Sequence, residues 1–344
     1  MSIYIGNNKY KEIYLGSNKI SEVYLGSNKI FSGVDPYNPL GLPANTVRVK
    51  TSDGNAPKKV AKTSWSPATS YETATLVSGT NNIYDVYKSG TSFKDLLYGS
   101  SNVAAVLGAN TTGITNMRAM FAQSSISSVA LFDTSSVTNM YQMFQGCQSL
   151  TSVPLFDTSN VTDMTGMLAG TQALNSVPLF NTSSVTTMSS MFAASGITMV
   201  PLFDTSSVTN MYYMFDYCNR LTSVPQFNTF SVTNMSYMFQ GCSKLTTVPL
   251  FNTSSVTNMS NMFQDCYALT SIPLFDTSKV TDMTQTFHNC TKVESGALAL
   301  YQQASTQTRP PSSHTYCFRS CGSDTTTGAA ELAQIPSSWG GTAS

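Results

Sequence analysis

The sequence predicts an α/β solenoid, and three observations carry that prediction. The phrase Val-Thr-Asn-Met, with small variations, recurs eight times at intervals of 23 or 24 residues. Within each interval apolar residues are spaced first by three and four, then by two. Only 10% of residues are charged, so Ser, Thr, Asn and Gln fill the remaining columns. A unit this short cannot bury its own apolar face, so neighbours must stack into an elongated scaffold.

The units begin at Ile114, Val137, Val161, Val185, Val208, Val232, Val256 and Val280. The second reads VTNMYQMFQGCQSLTSVPLFDTSN, with Val137 as position 1. Val137, Met140, Met143, Phe144 and Cys147 occupy one face of a short helix. Thr138 and Asn139 are suited to cap its start, and Gly146 to end it. Units one and four lack one residue, and the deletion falls just after this helix, where a loop absorbs it.

A short strand is expected next, with Val153 and Leu155 pointing inward and Pro154 outward. Pro recurs at Pro178, Pro201, Pro225, Pro249 and Pro273; each removes a ladder donor, so the stacked parallel sheet should be narrow. Asp157, Asn181, Asp204, Asn228, Asn252 and Asp276 are turn formers whose side chains satisfy local amides. Their alternation between Asp and neutral Asn leaves too few carboxylates for a calcium array. The Phe column from Phe132 to Phe275 is assigned to the core. Eight coils at strand spacing give a sheet of roughly 35–40 Å.

The flanks differ. Residues 1–33 hold three decapeptides, IYIGNNKY, IYLGSNKI and VYLGSNKI, each read as one strand and a turn from Ile3, Ile13 and Val23. Three such strands cannot bury a core alone, so this module is expected to join copies of the chain, as a homotrimer, or to dock on a partner. Residues 34–43, with three prolines, read as a linker. Residues 44–113 read as a β-rich N-terminal cap: a strand in TVRVKTSDG, two in ATLVSGTNNIYDVYK, and short helices in SFKDLLYGSSNVAAVLG. The solenoid proper spans 114–293, and residues 294–344, with Ala297–Ser305, GAAELAQIP and Trp339, form the C-terminal cap.

Of seven cysteines, Cys147, Cys218, Cys242, Cys266 and Cys290 share one column with Ser124, Thr171 and Ser195, as small buried residues do. Cys317 and Cys321 are the only close pair; with no second pair and no clustered His, a zinc site is not expected.

The M-F-x-x-C and F-D-T-S-x-V-T-x-M phrases over 114–293 resemble the BspA-like leucine-rich repeat family. That resemblance implies a leucine-rich-repeat-type solenoid used as an adhesive scaffold on bacterial or phage surfaces. The N-terminal decapeptides resemble those opening phage structural and fibre-like proteins.

Enzyme signatures are nearly absent. His288 falls in a column that holds Gln145, Gln240 and Gln264 elsewhere and is read as a solvated surface residue, and His314 has no evident partner. No G-x-S-x-G, P-loop or H-E-x-x-H occurs. No catalytic residue, metal ligand or cofactor is expected. Zero net charge argues against nucleic acid and polybasic membrane anchoring. No apolar run resembles a signal-peptide core or a membrane span. Binding chemistry is better represented: Tyr141, Tyr212, Tyr213, Tyr217, Tyr237 and Tyr267 sit in outward columns among Asn, Gln and Ser, the composition of a contact surface. The expectation is a bacteriophage fibre or decoration protein, released by lysis, that presents the solenoid to a host glycan or protein. The alternatives are a bacterial surface adhesin and, last, a polysaccharide-degrading spike.

Overall fold

The computed structural model describes residues 37–58 and 71–343, and before them the backbone of four short strands. β1 (Ile13–Leu15) pairs antiparallel with β2 (Asn18–Ile20), and β3 (Glu22–Leu25) with β4 (Asn28–Ser32). The decapeptides from Ile13 and Val23 are therefore each a two-stranded hairpin, not one strand. The sequence reason is the Gly-Ser in the middle of each copy, a dipeptide suited to two-residue hairpin turns. The copy from Ile3 lies outside the described residues.

β5 (Thr46–Thr51), β6 (Thr73–Leu76), β7 (Ile83–Tyr87), β8 (Val103–Asn110) and β9 (Ser128–Val129) form one sheet in the order β6-β7-β5-β8-β9. Val47, Val49, Val86 and Val106 are buried on it, and Arg48 pairs with Asp85 across β5 and β7 at 2.6 and 2.7 Å. β9 belongs to the first repeat and joins β8 in parallel, so the sheet is continuous with the solenoid. The helices expected in 92–108 do not form: Ser92–Ser100 is a run of turns, and β8 follows.

The turn run explains the solenoid. Parallel bridges link Ser92, Asn116, Asn139, Asp163, Thr187, Asn210, Asn234, Asn258, Asp282 and Ser313 in one unbroken ladder. The ladder therefore has ten rungs, two more than the eight repeats, and extends about 43 Å at strand spacing. The outer two come from degenerate copies: Phe93 and Leu97 stand for Met117 and Phe121, and Phe318 and Cys321 stand for Phe144 and Cys147. The CFRSC pair is thus two core columns of a tenth coil, and both thiols are free and buried.

No helix forms inside the eight repeats, which corrects the α/β reading there. In the first coil, alternate amides leave the coil: Met117, Ala119 and Phe121 donate to the carbonyls of Asn139, Tyr141 and Met143 at 2.8–2.9 Å. The intervening Met120, Ala122 and Ser124 amides close turns onto Met117, Ala119 and Phe121. Positions 6 and 10 take positive φ, as at Ala119 (49°) and Gln123 (60°), a sequence of turns no α-helix contains. Stacked helices need about 8–10 Å between axes, whereas these turns repeat at the spacing of strands. Successive turns put every third and fourth residue inside, so the apolar spacing imitates a helix.

Asn139, expected to cap that helix, closes a turn: its side chain accepts from the Tyr141 amide at 3.0 Å, and its equivalents do the same. The Asp157 column does likewise with the residue two on, for example Ser159 at 3.0 Å. Buried Thr134, Thr158, Thr182, Thr205, Thr229 and Thr253 each donate to a carbonyl of the next coil at 2.7–2.8 Å.

The expected strand at Val153–Leu155 is absent too. The Phe156 amide bonds back to the Pro154 carbonyl at 2.9 Å, and that tight turn breaks the two-residue alternation. Leu155 consequently faces out, 59% exposed, while Val153 and Phe156 are buried. Two Phe columns form the spine: Phe192, Phe215, Phe239, Phe263, Phe287 and Phe318 stack at 5.3–5.7 Å, flanked by Phe203, Phe227, Phe251 and Phe275 at 6.0–6.3 Å. Each such ring contributes about 1.5–3 kcal/mol by burial. At the far end α1 (Ala297–Thr306) and α2 (Thr326–Leu332) pack together, and buried Trp339 stacks near Phe318 at 6.4 Å, closing the spine.

Candidate functional site

The fifth coil, Val208–Ser231, departs from its neighbours in several outward columns. Asp216 replaces the Ala, Gln or His of the other coils, and Tyr217 stands where Gly146, Gly170 and Gly241 stand elsewhere. Arg220 occurs where small residues or Lys are usual, Gln226 interrupts the exposed Leu column, and Phe230 replaces a recurrent Ser. Phe230 is 63% exposed.

Tyr212, Tyr213 and Tyr237 come together as one cluster. Their ring centroids lie 4.0, 4.5 and 6.0 Å apart, with Tyr213 stacked on Tyr237 and Tyr212 edge-on to both. Burial, then a hydrogen bond with Tyr212, raises the Tyr213 phenol above its usual range. Beside it, burial pushes the Asp216 carboxyl up to about 7, and one of its oxygens is enclosed without a hydrogen-bond partner. Tyr213 (φ 58°), Tyr217 (52°) and Tyr237 (58°) all occupy left-handed backbone positions, which bulky residues rarely take and which cost about 1–2 kcal/mol each. The same two columns are left-handed in other coils, at Gln142, Ser190, Asn261 and Gln285 among others, so this backbone belongs to the repeat and the fifth and sixth coils differ in the rings they place there.

The other sequence-predicted residues lie apart. Tyr141 carries the Arg118 guanidinium over its ring at 4.5 Å. Tyr267 is exposed and donates to Asp265 at 3.1 Å. Tyr217, 50% exposed, rests on Gly241, where a Cβ would lie 2.8 Å from its ring.

Tyr217 also walls a notch of about 240 Å³ with Gln172, Ala194, Ser195, Gly196, Asn219 and Arg220. The missing residue of the fourth coil makes it. In the second, third, fifth and sixth coils the position-12 amide bonds within its coil, as Asn219 does to Tyr217 at 2.8 Å. In the shortened coil the Gly196 amide reaches instead to Thr171 of the coil before, at 3.1 Å. The chain is drawn inward there, and the surface dips between Gln172 and Arg220. A wider groove of about 470 Å³ runs along the opposite edge, where Gln226, Leu250 and Leu274 meet the Asn228 and Asn252 turns. Sequence reasoning missed Asp216, Arg220 and the notch. Comparing columns between repeats and noting where unit four is shortened would have marked all three.

The remaining chemistry is structural. Each column thiol donates to a Phe carbonyl of the preceding coil at 3.0–3.1 Å, as Cys218 does to Phe192. Burial raises Cys147 to about 11 and Cys218 to about 12, so these are inert. His314 stacks on Trp339 at 4.1 Å, so it has a partner after all. His288 is half-buried rather than solvated, and burial lowers its pKa. Among the described residues no group of three or more His, Cys, Asp or Glu is placed to hold a metal. Among them, too, no helix is long and apolar enough to cross a membrane.

A repeat family described as "Mycoplasma protein of unknown function, DUF285" matches the chain at 91–199, 115–222 and 197–300, which together cover more than half of it. The chain belongs to this family. Its repeat segment is of the BspA-like leucine-rich kind. The first match begins at residue 91, taking in the degenerate coil at Ser92–Ser100. No curated protein matches. Among solved structures, a leucine-rich repeat protein from Eubacterium ventriosum is 19% identical, with a TM-score of 0.34. The match covers 54% of this chain and 58% of that protein, less than two thirds of its length.

Proposed function

We propose that this chain is a non-catalytic adhesion scaffold whose fifth coil contacts a receptor on a cell surface. One observation carries the reading: Tyr212 and Tyr213 of the fifth coil meet Tyr237 of the sixth in one outward cluster, beside several further departures from the repeat in the fifth coil. Tyr among small polar residues gives large, rigid contact area and a hydroxyl for hydrogen bonding. The BspA-like repeat supports a surface-adhesin role. The finer setting is a virion fibre or decoration protein, joined to the particle and to its own copies through residues 1–33. The decapeptides there favour it, whereas the repeat family equally suits a bacterial surface adhesin.

The test is cell binding by the purified full chain. Tyr212→Ala with Tyr213→Gly removes the cluster and relieves the left-handed strain at position 213. Binding should fall by about tenfold or more, a hot-spot loss, with melting temperature close to the parent's. Parent-like binding by this variant would move the receptor surface elsewhere. Deleting residues 1–33 should abolish self-association and incorporation into particles while leaving the solenoid folded. Unchanged mass in solution would remove the assembly role.

A further inference from the structure

We infer that the notch between the third and fifth coils is a binding site for a carboxylate-bearing sugar ring, an inference that rests on the adhesion reading above. The argument begins with how the notch is built. Gly196 is drawn so close to the third coil that a Cβ there would lie 2.1 Å from the Gln172 carbonyl oxygen. The depression therefore has a backbone floor that no side chain can fill from below.

Its walls are complementary to one kind of ligand. On one side the Tyr217 ring is half exposed and is seated on Gly241, which leaves the ring no side chain to compete for its place. A flat aromatic face packs against the C–H face of a pyranose. Next to it is Arg220, exposed, with no acidic group within ion-pair distance among the described residues. A guanidinium offers a planar fork of donors that fits a carboxylate with two parallel hydrogen bonds. Asn219 and Gln172 complete the rim with amides that both donate and accept, as sugar hydroxyls require. An aromatic plate, a free guanidinium and two amides around about 240 Å³ suit one acidic monosaccharide. A neutral sugar would leave Arg220 without its counterpart.

Uronic acids and sialic acids share this chemistry, and the experiment separates them. Binding of the full chain to tetragalacturonate and to sialyllactose is measured by isothermal titration, with fully methyl-esterified tetragalacturonate and lactose as neutral counterparts. At least one acidic ligand should bind, and its neutral counterpart should bind at least about tenfold more weakly. Arg220→Gln should lose about tenfold or more in affinity, and Arg220→Lys should restore only part of it, because a point charge replaces a fork. Raising salt should weaken the parent's binding and leave the residual binding of Arg220→Gln unchanged. Gln172→Trp, which covers the notch from the third coil's surface, should block binding without touching Arg220.

No binding by either acid, equal binding of acid and neutral forms, or parent-like affinity of Arg220→Gln would each overturn the inference. Cell binding separates its failure from that of the adhesion reading. If the parent binds cells, loses binding on Tyr212→Ala with Tyr213→Gly, and keeps it on Arg220→Gln, the acidic-sugar site is wrong and the adhesion surface stands. If the parent binds no cells, the adhesion reading itself falls.

Discussion

Gly196→Ala is the sharpest test of how the coils pack. The substitution adds one methyl group, which would lie 2.1 Å from the Gln172 carbonyl oxygen, 2.9 Å from its carbon and 3.0 Å from the Leu174 oxygen. All three are backbone atoms of the adjacent coil, so no side chain can swing away. Either the fourth coil lifts or the third is pushed back. Overpacking of this kind costs about 1–3 kcal/mol, and loosening the Gly196-to-Thr171 hydrogen bond adds about 1 kcal/mol. Against this, Ala restricts the unfolded chain and returns about 0.4–1 kcal/mol. The net loss is about 1–3.5 kcal/mol, a fall in melting temperature of roughly 2–7 °C for an array of this size. Thermal unfolding followed by circular dichroism measures it, and hydrogen exchange should quicken first at Gly196 and Thr198, whose amides both reach to the third coil. Gly113→Ala is the matching control. It has open space around it but a φ of 78°, so it isolates the backbone cost of about 1 kcal/mol. A Gly196→Ala melting temperature within about 1 °C of the parent would refute the claim that the missing residue pulls the two coils into contact.

Three further outcomes are expected. Phe215→Ala removes a fully buried ring stacked on Phe192 and Phe239 at 5.6 and 5.4 Å, and should cost about 3–5 kcal/mol by denaturant titration; a loss near zero would mean the spine is not stacked as described. Asp216 has its carboxyl raised to about 7 in the folded chain, so its contribution is full below the unfolded value of 3.8 and is lost as pH rises toward 7. Asp216→Asn should therefore match the parent near pH 4 and melt higher than it at pH 8, and equal melting temperatures at pH 8 would contradict the buried carboxyl. Burial raises Cys147 and Cys218 to about 11 and 12, so mass spectrometry after iodoacetamide at pH 8 should find them unmodified in the native chain and modified in urea, with stability falling as pH climbs above the ordinary thiol value. Rapid alkylation of the native chain would place these thiols at the surface.

The repeat, its period and its buried columns were legible in the sequence because stacking forces the same residue type into the same place in every coil. What was not legible was the backbone between those columns. Met140, Met143 and Phe144 are spaced as on a helix, yet a run of turns with a left-handed residue at every fourth place buries the same residues. The clue lay in position 10, where Gly146, Gly170 and Gly241 recur one place before the last residue assigned to the helix face. Leu155 was misplaced for a related reason: strand alternation was carried across Pro154, whose carbonyl closes a three-residue turn and rotates the next side chain outward. Of the candidate contact residues, Tyr212, Tyr213 and Tyr237 do meet in space, because they fall on adjacent rungs at neighbouring positions. Arg220 and the notch escaped because a deletion was read only as something a loop tolerates.

The Thr columns make the same bonds at successive junctions between coils, and this bears on how such a chain can change. Residues 131–141 and 202–212 both read LFDTSSVTNMY, so the chain carries two interchangeable stretches three coils apart. Recombination between them would excise or duplicate three whole coils, and each new junction would find its Thr and Asn partners already in register. Excision would also remove Gln172 and Gly196, setting the first coil directly before Tyr212, while duplication would leave one copy of Gly196 facing the fifth coil and another facing a second coil. Length and recognition surface would then change in a single genetic step, without any substitution in the fifth coil.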